Sequence, residues 1–268
     1  MKKKSKLIGL IFLGLVLLLI GTGVISLLIN KNKEKGSDQK IAVLADNGIA
    51  IVSISSERKM INTLVINPDV QVWIPGGLGW YRSSAVKKIL QQEKKTDLFD
   101  KILFYNLGFI ADKTLVLKNI NDWKGNFWWQ YFWNSGKMIL KEEVIKKDIR
   151  EERDLLDEVM VRDFSESKLA NEDIRLSVIN TTNIDGLADF MASSLERLGF
   201  SVISVGGGTN SDGCQMVYGN KVKETFSWKM LKEVIDCPEK EDLSLNEGEV
   251  ELYFDEKFAS VIKYPSYK

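Results

Sequence analysis

The sequence predicts a mixed α/β (α+β) protein. An N-terminal transmembrane helix leads into a mixed α/β middle region and a C-terminal β-α-β-β-α-β sandwich. Three observations carry this expectation. An uncharged apolar run occupies Leu7–Ile29. Short β-branched runs punctuated by turn residues fill the region after residue 40. The last hundred residues twice repeat the order strand, helix, strand.

The first run reads LIGLIFLGLVLLLIGTGVISLLI, 23 residues without a charge. At 1.5 Å per residue that is about 34 Å of helix, enough for a hydrocarbon core of about 30 Å. A buried core helix and a cleaved signal peptide are the rival readings. The run is apolar on every side, is long for a signal-peptide core and has no A-x-A-like site after it. An uncleaved bilayer anchor over residues 7–29 follows. Lys2, Lys3, Lys4 and Lys6 precede the span, and Lys31, Lys33, Lys35 and Lys40 follow it, so the positive-inside count is nearly tied. The denser first cluster favours a cytoplasmic tail over residues 1–6 and an extracytoplasmic C-terminal domain. The expected location is the cell membrane, single-pass.

Residues 30–40 (NKNKEKGSDQK) read as a polar linker. Strand-like runs follow at Ile41–Leu44, Ala50–Ile54, Ile61–Ile66 and Val70–Ile74, then a Pro75-Gly76-Gly77 loop. Ser83–Gln92 and Leu98–Leu107 read as helices and Leu115–Leu117 as a short strand. Residues 141–163 carry 15 charges in 23 positions. Ile145, Ile149, Leu156, Val159 and Met160 leave a narrow apolar stripe at helical spacing, so a solvated charged helical linker over 141–173 is expected. An oligomerising helix is the alternative.

Beyond it, Ile174–Thr181 alternates as a strand does. Asn183 is placed to cap a helix with the apolar face Ile184, Leu187, Ala188, Met191, Leu195 and Leu198, and Gly199 to end it. Phe200–Val205, Cys214–Tyr218 and Glu249–Phe254 read as strands, with a GGGTNSDG loop after the first and a helix over Val222–Ile235.

Composition excludes several chemistries. The chain has no histidine, which removes Ser-His-Asp and Cys-His mechanisms and most zinc sites. Beyond residue 40 there are 29 basic and 35 acidic residues, a poor balance for sequence-independent nucleic-acid binding, so no nucleic-acid partner is expected. The Val205-Gly206-Gly207-Gly208 run is followed by a strand-like segment, so it lacks the helix N-terminus of a dinucleotide site. No catalytic residue, cofactor or metal is assigned. Asp46 with Asp69 has the oxygen ligands for a divalent cation, but both residues also suit turns or strand ends.

Two features point to binding or stabilisation. Cys214 and Cys237 are the chain's two cysteines and are disulfide candidates in an oxidising compartment. The stretch Trp123–Trp133 (WKGNFWWQYFW) packs four Trp, two Phe and one Tyr into eleven residues. Trp123, Trp128, Trp129 and Trp133 are candidates for contact with glycan or a membrane interface, with core packing as the alternative.

Residues 178–208 (VINTTNIDGLADFMASSLERLGFSVISVGGG) resemble the C-terminal domain of LytR-CpsA-Psr proteins. The resemblance lies in a strand ending in an Asn-rich turn at Asn180, a helix start at Gly186-Leu187-Ala188 and a re-entry at Gly199-Phe200-Ser201-Val202. It covers about residues 174–258 and implies a cell-envelope protein. Residues 41–140 resemble a shortened, degenerate form of that family's catalytic domain. There, Asn67-Pro68-Asp69-Val70-Gln71-Val72 and Ile74-Pro75-Gly76 are similar to its Ser-Ile-Pro-Arg-Asp stretch and the Ile-Pro after it.

Active members of the family transfer a polyprenyl-pyrophosphate-linked glycan to the wall, with arginines on the phosphates and a metal held by Asp. Asp46 and Asp69 have plausible counterparts among those groups, whereas Asn67 and Pro68 stand where Pro-Arg would be. Arg58 and Arg82, the arginines between the anchor and residue 149, fall outside the motif. The expectation is a membrane-anchored extracytoplasmic envelope protein, non-catalytic, with wall glycan or an envelope protein as its partner. The alternative is a divergent glycan-phosphotransferase that attaches polymers to the wall.

Overall fold

A computed structural model describes residues 39–55, 58–95, 97–125, 138–209 and 213–263. The anchor expected over 7–29 lies outside the described residues. Among the described residues no helix is long and apolar enough to cross a membrane.

The first sheet grows from an antiparallel meander of β1 (Gln39–Ala45), β2 (Gly48–Ser55) and β3 (Met60–Ile66). Two parallel additions flank it: β6 (Lys113–Val116) beside β1 and β7 (Ile139–Ile145) beside β3. Its central strands are buried on both faces, which is why they read as near-continuous Ile, Val and Ala. Ala42, Leu44, Ile49, Ile51 and Leu64 face one apolar cluster, and Ile41, Val43, Ala50, Val52 and Ile54 face another. Lys40, expected to lie in the linker, belongs to β1. Its ammonium is buried in an ion pair of 3.4 Å with Glu166.

A small hairpin follows, formed by β4 (Gln71–Ile74) and β5 (Gly79–Arg82). A 3₁₀ turn at Ser83–Ala85 runs into α1 (Val86–Glu93), and α2 (Leu98–Leu107) comes next. The second hairpin strand was not expected; only its partner shows alternation.

The charged segment differs from its expected helical form. Residues 139–145 form strand β7, in parallel register from Met60↔Ile139 to Ile66↔Ile145. On an edge strand, outward-facing charges are compatible with pairing and discourage further strand addition. Helix starts only at α3 (Arg153–Val159), continues as a wider π turn over Met160–Phe164 and resumes in α4 (Ser167–Asn171). The stripe Ile145, Ile149, Leu156, Val159 and Met160 is buried in the core shared with α2, so it is not an exposed oligomerising seam.

The second sheet contains β8 (Arg175–Asn180), β9 (Ser201–Gly207), β10 (Gln215–Tyr218), β11 (Glu239–Glu241) and β12 (Glu249–Phe254), ordered β11-β10-β12-β8-β9. The helices are α5 (Leu187–Leu198), α6 (Phe226–Val234) and α7 (Glu256–Ile262). β11 and α7 extend the expected β-α-β-β-α-β order.

Asn183 is not the cap of α5; Gly186 is, in a left-handed conformation with φ of 79°. The residues before it are committed to a side-chain turn. Thr182 N–H donates to Asn180 Oδ1 (2.9 Å), and Asn180 Nδ2 donates to the Ile184 carbonyl (2.8 Å). That turn delays the helix by three residues. Gly199 ends the helix left-handed, as expected. α6 likewise starts later than Val222, at the cap Thr225, whose hydroxyl accepts from Trp228 N–H (3.1 Å).

Each sheet has its own apolar clusters, and the second sheet's core also takes in residues from the β4–β5 hairpin and α2. Trp73, Phe104 and Tyr105 from the first half sit in the same apolar cluster as Leu176, Leu187, Met191 and Leu198 from the second.

Candidate functional site

The aromatic and basic residues of highest interest converge where α2 crosses α5. The join is built from directional bonds. Asn106 is buried, and its side chain accepts from Trp73 N–H and donates to the Trp73 carbonyl, both at 2.8 Å. Ser194 Oγ donates to the Tyr105 carbonyl at 3.2 Å. Arg197 is buried; its guanidinium donates to the Asn106 carbonyl (2.8 Å) and pairs with Asp157. Trp73, Tyr105 and Phe190 form an aromatic trio with centroid separations of 5.5–5.9 Å. Burial pushes the Tyr105 hydroxyl well above its ordinary pKa, so it stays a neutral wall residue.

Above this join lies a cleft of about 170 Å³. β5 contributes Trp80, and α2 contributes Tyr105 and Asn106. Ile149, Arg150 and Arg153 come from the segment leading into α3. One face of α5 supplies Gly186, Asp189, Phe190, Ser193 and Arg197, at the spacing that puts residues three and four apart side by side. The Arg150 guanidinium lies over the Trp80 ring at 4.4 Å and is gripped by Asp148, with one bond at 2.8 Å. That grip holds the Asp148 carboxyl below its usual range. Arg153 donates to Ser193 Oγ and keeps only a loose ion pair of 3.9 Å with Asp157. Nearby, burial and then the charge of Asp157 raise the Glu196 carboxyl.

The residues singled out from the sequence lie elsewhere. Cys214 and Cys237 are joined, with Cα atoms 5.5 Å apart, and tie the start of β10 to the segment after α6. Trp123 is buried against the outer face of the first sheet with Ile120, Val43 and Val52, which is a core position. Trp128, Trp129 and Trp133 lie outside the described residues. Asp46 pairs with Lys87 at 2.8 Å, and the exposed Asp69 pairs with Arg82 at 3.4 Å. The described residues contain no group of three acidic or cysteine side chains placed to hold a metal.

The cleft residues escape sequence reading because they come from segments spread between positions 80 and 197 with no shared motif. The one local signal is the pair of arginines at 150 and 153, three apart at the start of a helical pattern.

Comparison with known proteins bears on the second half of the chain. No curated protein matches the chain. A solved structure, the LytR-CPS2A-psr family protein YwtF (TagT) with bound octaprenyl pyrophosphate lipid, is 16% identical. The match covers 66% of this chain and 79% of that one, with a TM-score of 0.24, a superposition too loose to carry an argument. Residues 173–258 match the family model LytR_C, LytR cell envelope-related transcriptional attenuator. The matched stretch is the body built on β8–β12, α5 and α6, which is similar over residues 173–258 to the LytR_C domain.

Proposed function

We propose that this is a membrane-tethered, extracytoplasmic envelope protein that binds a wall polymer or envelope partner without catalysing its transfer. Residues 7–29 are the tether in the bilayer, residues 1–6 face the cytoplasm, and both α/β halves face outward. The LytR_C domain supports the envelope assignment. An oxidising exterior also suits the Cys214–Cys237 pair.

One observation carries the non-catalytic reading. Phosphoryl transfer needs cations aimed at the developing charge. In the cleft where α2 crosses α5, Arg150 is committed to Asp148, Arg153 is bonded to Ser193, and Arg197 is committed to Asp157 and to the Asn106 carbonyl across the join. The aromatic walls and partly exposed polar rim of that cleft suit reversible binding. The degenerate motif at Asn67-Pro68-Asp69 points the same way: Asp69 is exposed and pairs with Arg82.

Protease accessibility in intact cells tests the orientation. The C-terminal domain is expected to be cleaved from outside, and complete protection with an intact membrane would refute the outward placement.

A further inference from the structure

The second sheet ends at β9, whose far side pairs with no strand among the described residues. In a parallel ladder, alternate residues turn both their N–H and their C=O toward the neighbouring strand, and the residues between them turn theirs outward. Gly208 N–H donates to the Asn180 carbonyl (3.0 Å) on the β8 side. Ser204 and Gly206 share that direction, so Val205 and Gly207 offer their N–H and C=O groups to the open edge. A bulge leaves Ile203 without a counterpart on β8, between the pairs Leu176↔Val202 and Ser177↔Ser204. It bends the strand there and confines the regular edge to the residues that follow.

Nothing charged lies between Leu198 and Thr209. The other sheet edges carry charge: Lys113 on β6, Lys141, Glu142 and Glu143 on β7, and every residue of β11. Charge is an ordinary guard against strand addition, and β9 lacks it.

Gly206 and Gly207 identify what the edge receives. Glycine weakens a strand, and the chain's own fold gives neither residue a reason. Both have ordinary φ, and a Cβ would meet open space at Gly206 and only a 3.9 Å contact at Gly207. Gly208 differs, since a Cβ there would press on Ile179. Bare positions on an unpaired edge make room for a second backbone. Antiparallel pairing of two copies about a two-fold axis at Gly206 sets Val205 of each against Gly207 of the other, and each such pair exchanges both outward hydrogen bonds. Gly206 then meets its own copy in the closely spaced pair, at about 4.5 Å between Cα atoms. The half-exposed Val205 side chain lies beside a bare Gly207, and no charge meets its like.

We propose that β9 is a self-association edge, through which two copies of this chain pair antiparallel about Gly206 into one continuous sheet. The proposal stands apart from the wall-binding reading.

Cysteine cross-linking of the full-length protein in detergent micelles tests it, with peptide mapping to separate new links from Cys214–Cys237. Gly206→Cys should form a disulfide-linked dimer at least about tenfold faster than Ser204→Cys, because the two-fold brings position 206 within disulfide reach of itself and holds position 204 about 14 Å from its mate. Gly207→Pro removes an outward N–H and no bond to β8, and should abolish the faster linking of Gly206→Cys. Val205→Lys should do the same by setting two like charges diagonally across the seam, and it decides the question if the proline variant fails to fold. Equal rates at 204 and 206, no link at 206, or a link at 206 that Val205→Lys leaves unchanged would overturn the dimer. Linkage of Gly206→Cys in cells to a different protein in place of its own copy would also overturn it and assign the edge to that partner.

Discussion

Gly108, which ends α2 in a left-handed conformation with φ of 61°, lies directly against the backbone of Ser194 in α5. A Cβ at position 108 would overlap the Ser194 carbonyl oxygen and the Arg197 Cβ. This close approach lets Ser194 and Arg197 reach the carbonyls of Tyr105 and Asn106, so one small residue sets the spacing of the two halves.

Gly108→Ala is therefore expected to cost more than about 2 kcal/mol, from left-handed strain plus overpacking at the crossing. Because Trp73, Phe104 and Tyr105 of the first half are buried in the second sheet's core, both halves should unfold in one transition at a lower midpoint. Urea denaturation followed by tryptophan fluorescence and by far-UV circular dichroism checks this; coincident curves are expected.

The Cys214–Cys237 link closes a loop across β10 and α6. Non-reducing mass spectrometry of the protein purified without reductant should find the chain lighter by two thiol hydrogens. Cys214→Ser with Cys237→Ser should lose about 3 kcal/mol of stability in the chain-entropy treatment. Two free thiols in that protein would contradict the link.

Glu172 reaches across to α6 and accepts from Phe226 N–H (2.8 Å) and Ser227 N–H (2.6 Å). Burial works against its charge, but these bonds and the nearby Lys229 outweigh it and hold the carboxyl below its ordinary 4.5. A depressed pKa means that the stabilisation is complete above 4.5 and is lost as pH falls through the folded-state value. Glu172→Gln should cost about 1–2 kcal/mol at neutral pH. The gap from wild type should narrow in acid, as read from melting midpoints across pH.

Trp123 is a packing residue on the outer face of the first sheet. Trp123→Ala is expected to cost about 3–5 kcal/mol. Any loss of wall retention in that variant should track its unfolded fraction. Wall binding lost from a variant with native melting would place Trp123 in the binding surface instead.

Much of this architecture is legible in the sequence wherever one face of an element is buried. Leu187, Met191, Leu195 and Leu198 mark α5 by spacing alone, and all are buried. The Ile and Val runs of β1–β3 announce strands because both faces of that sheet are covered. Reading fails at β7, where Lys141, Glu142 and Glu143 on an edge strand have the composition of a solvated helix and register with β3 decides the outcome. It fails again at Asn183, because Asn180 and Thr182 compete for the turn. The cleft is invisible in one dimension: Trp80 of β5, Arg153 at the start of α3 and Phe190 of α5 meet only in the folded chain.

The most direct measurement mixes the full-length protein with isolated wall, magnesium and a labelled lipid-pyrophosphate glycan, then follows both protein retention and label transfer. Retention on the wall with no covalent label in it is the expected result. Time-dependent transfer of label that requires the protein would contradict the binding role, and a protein that neither stays on the wall nor transfers label would contradict the envelope assignment.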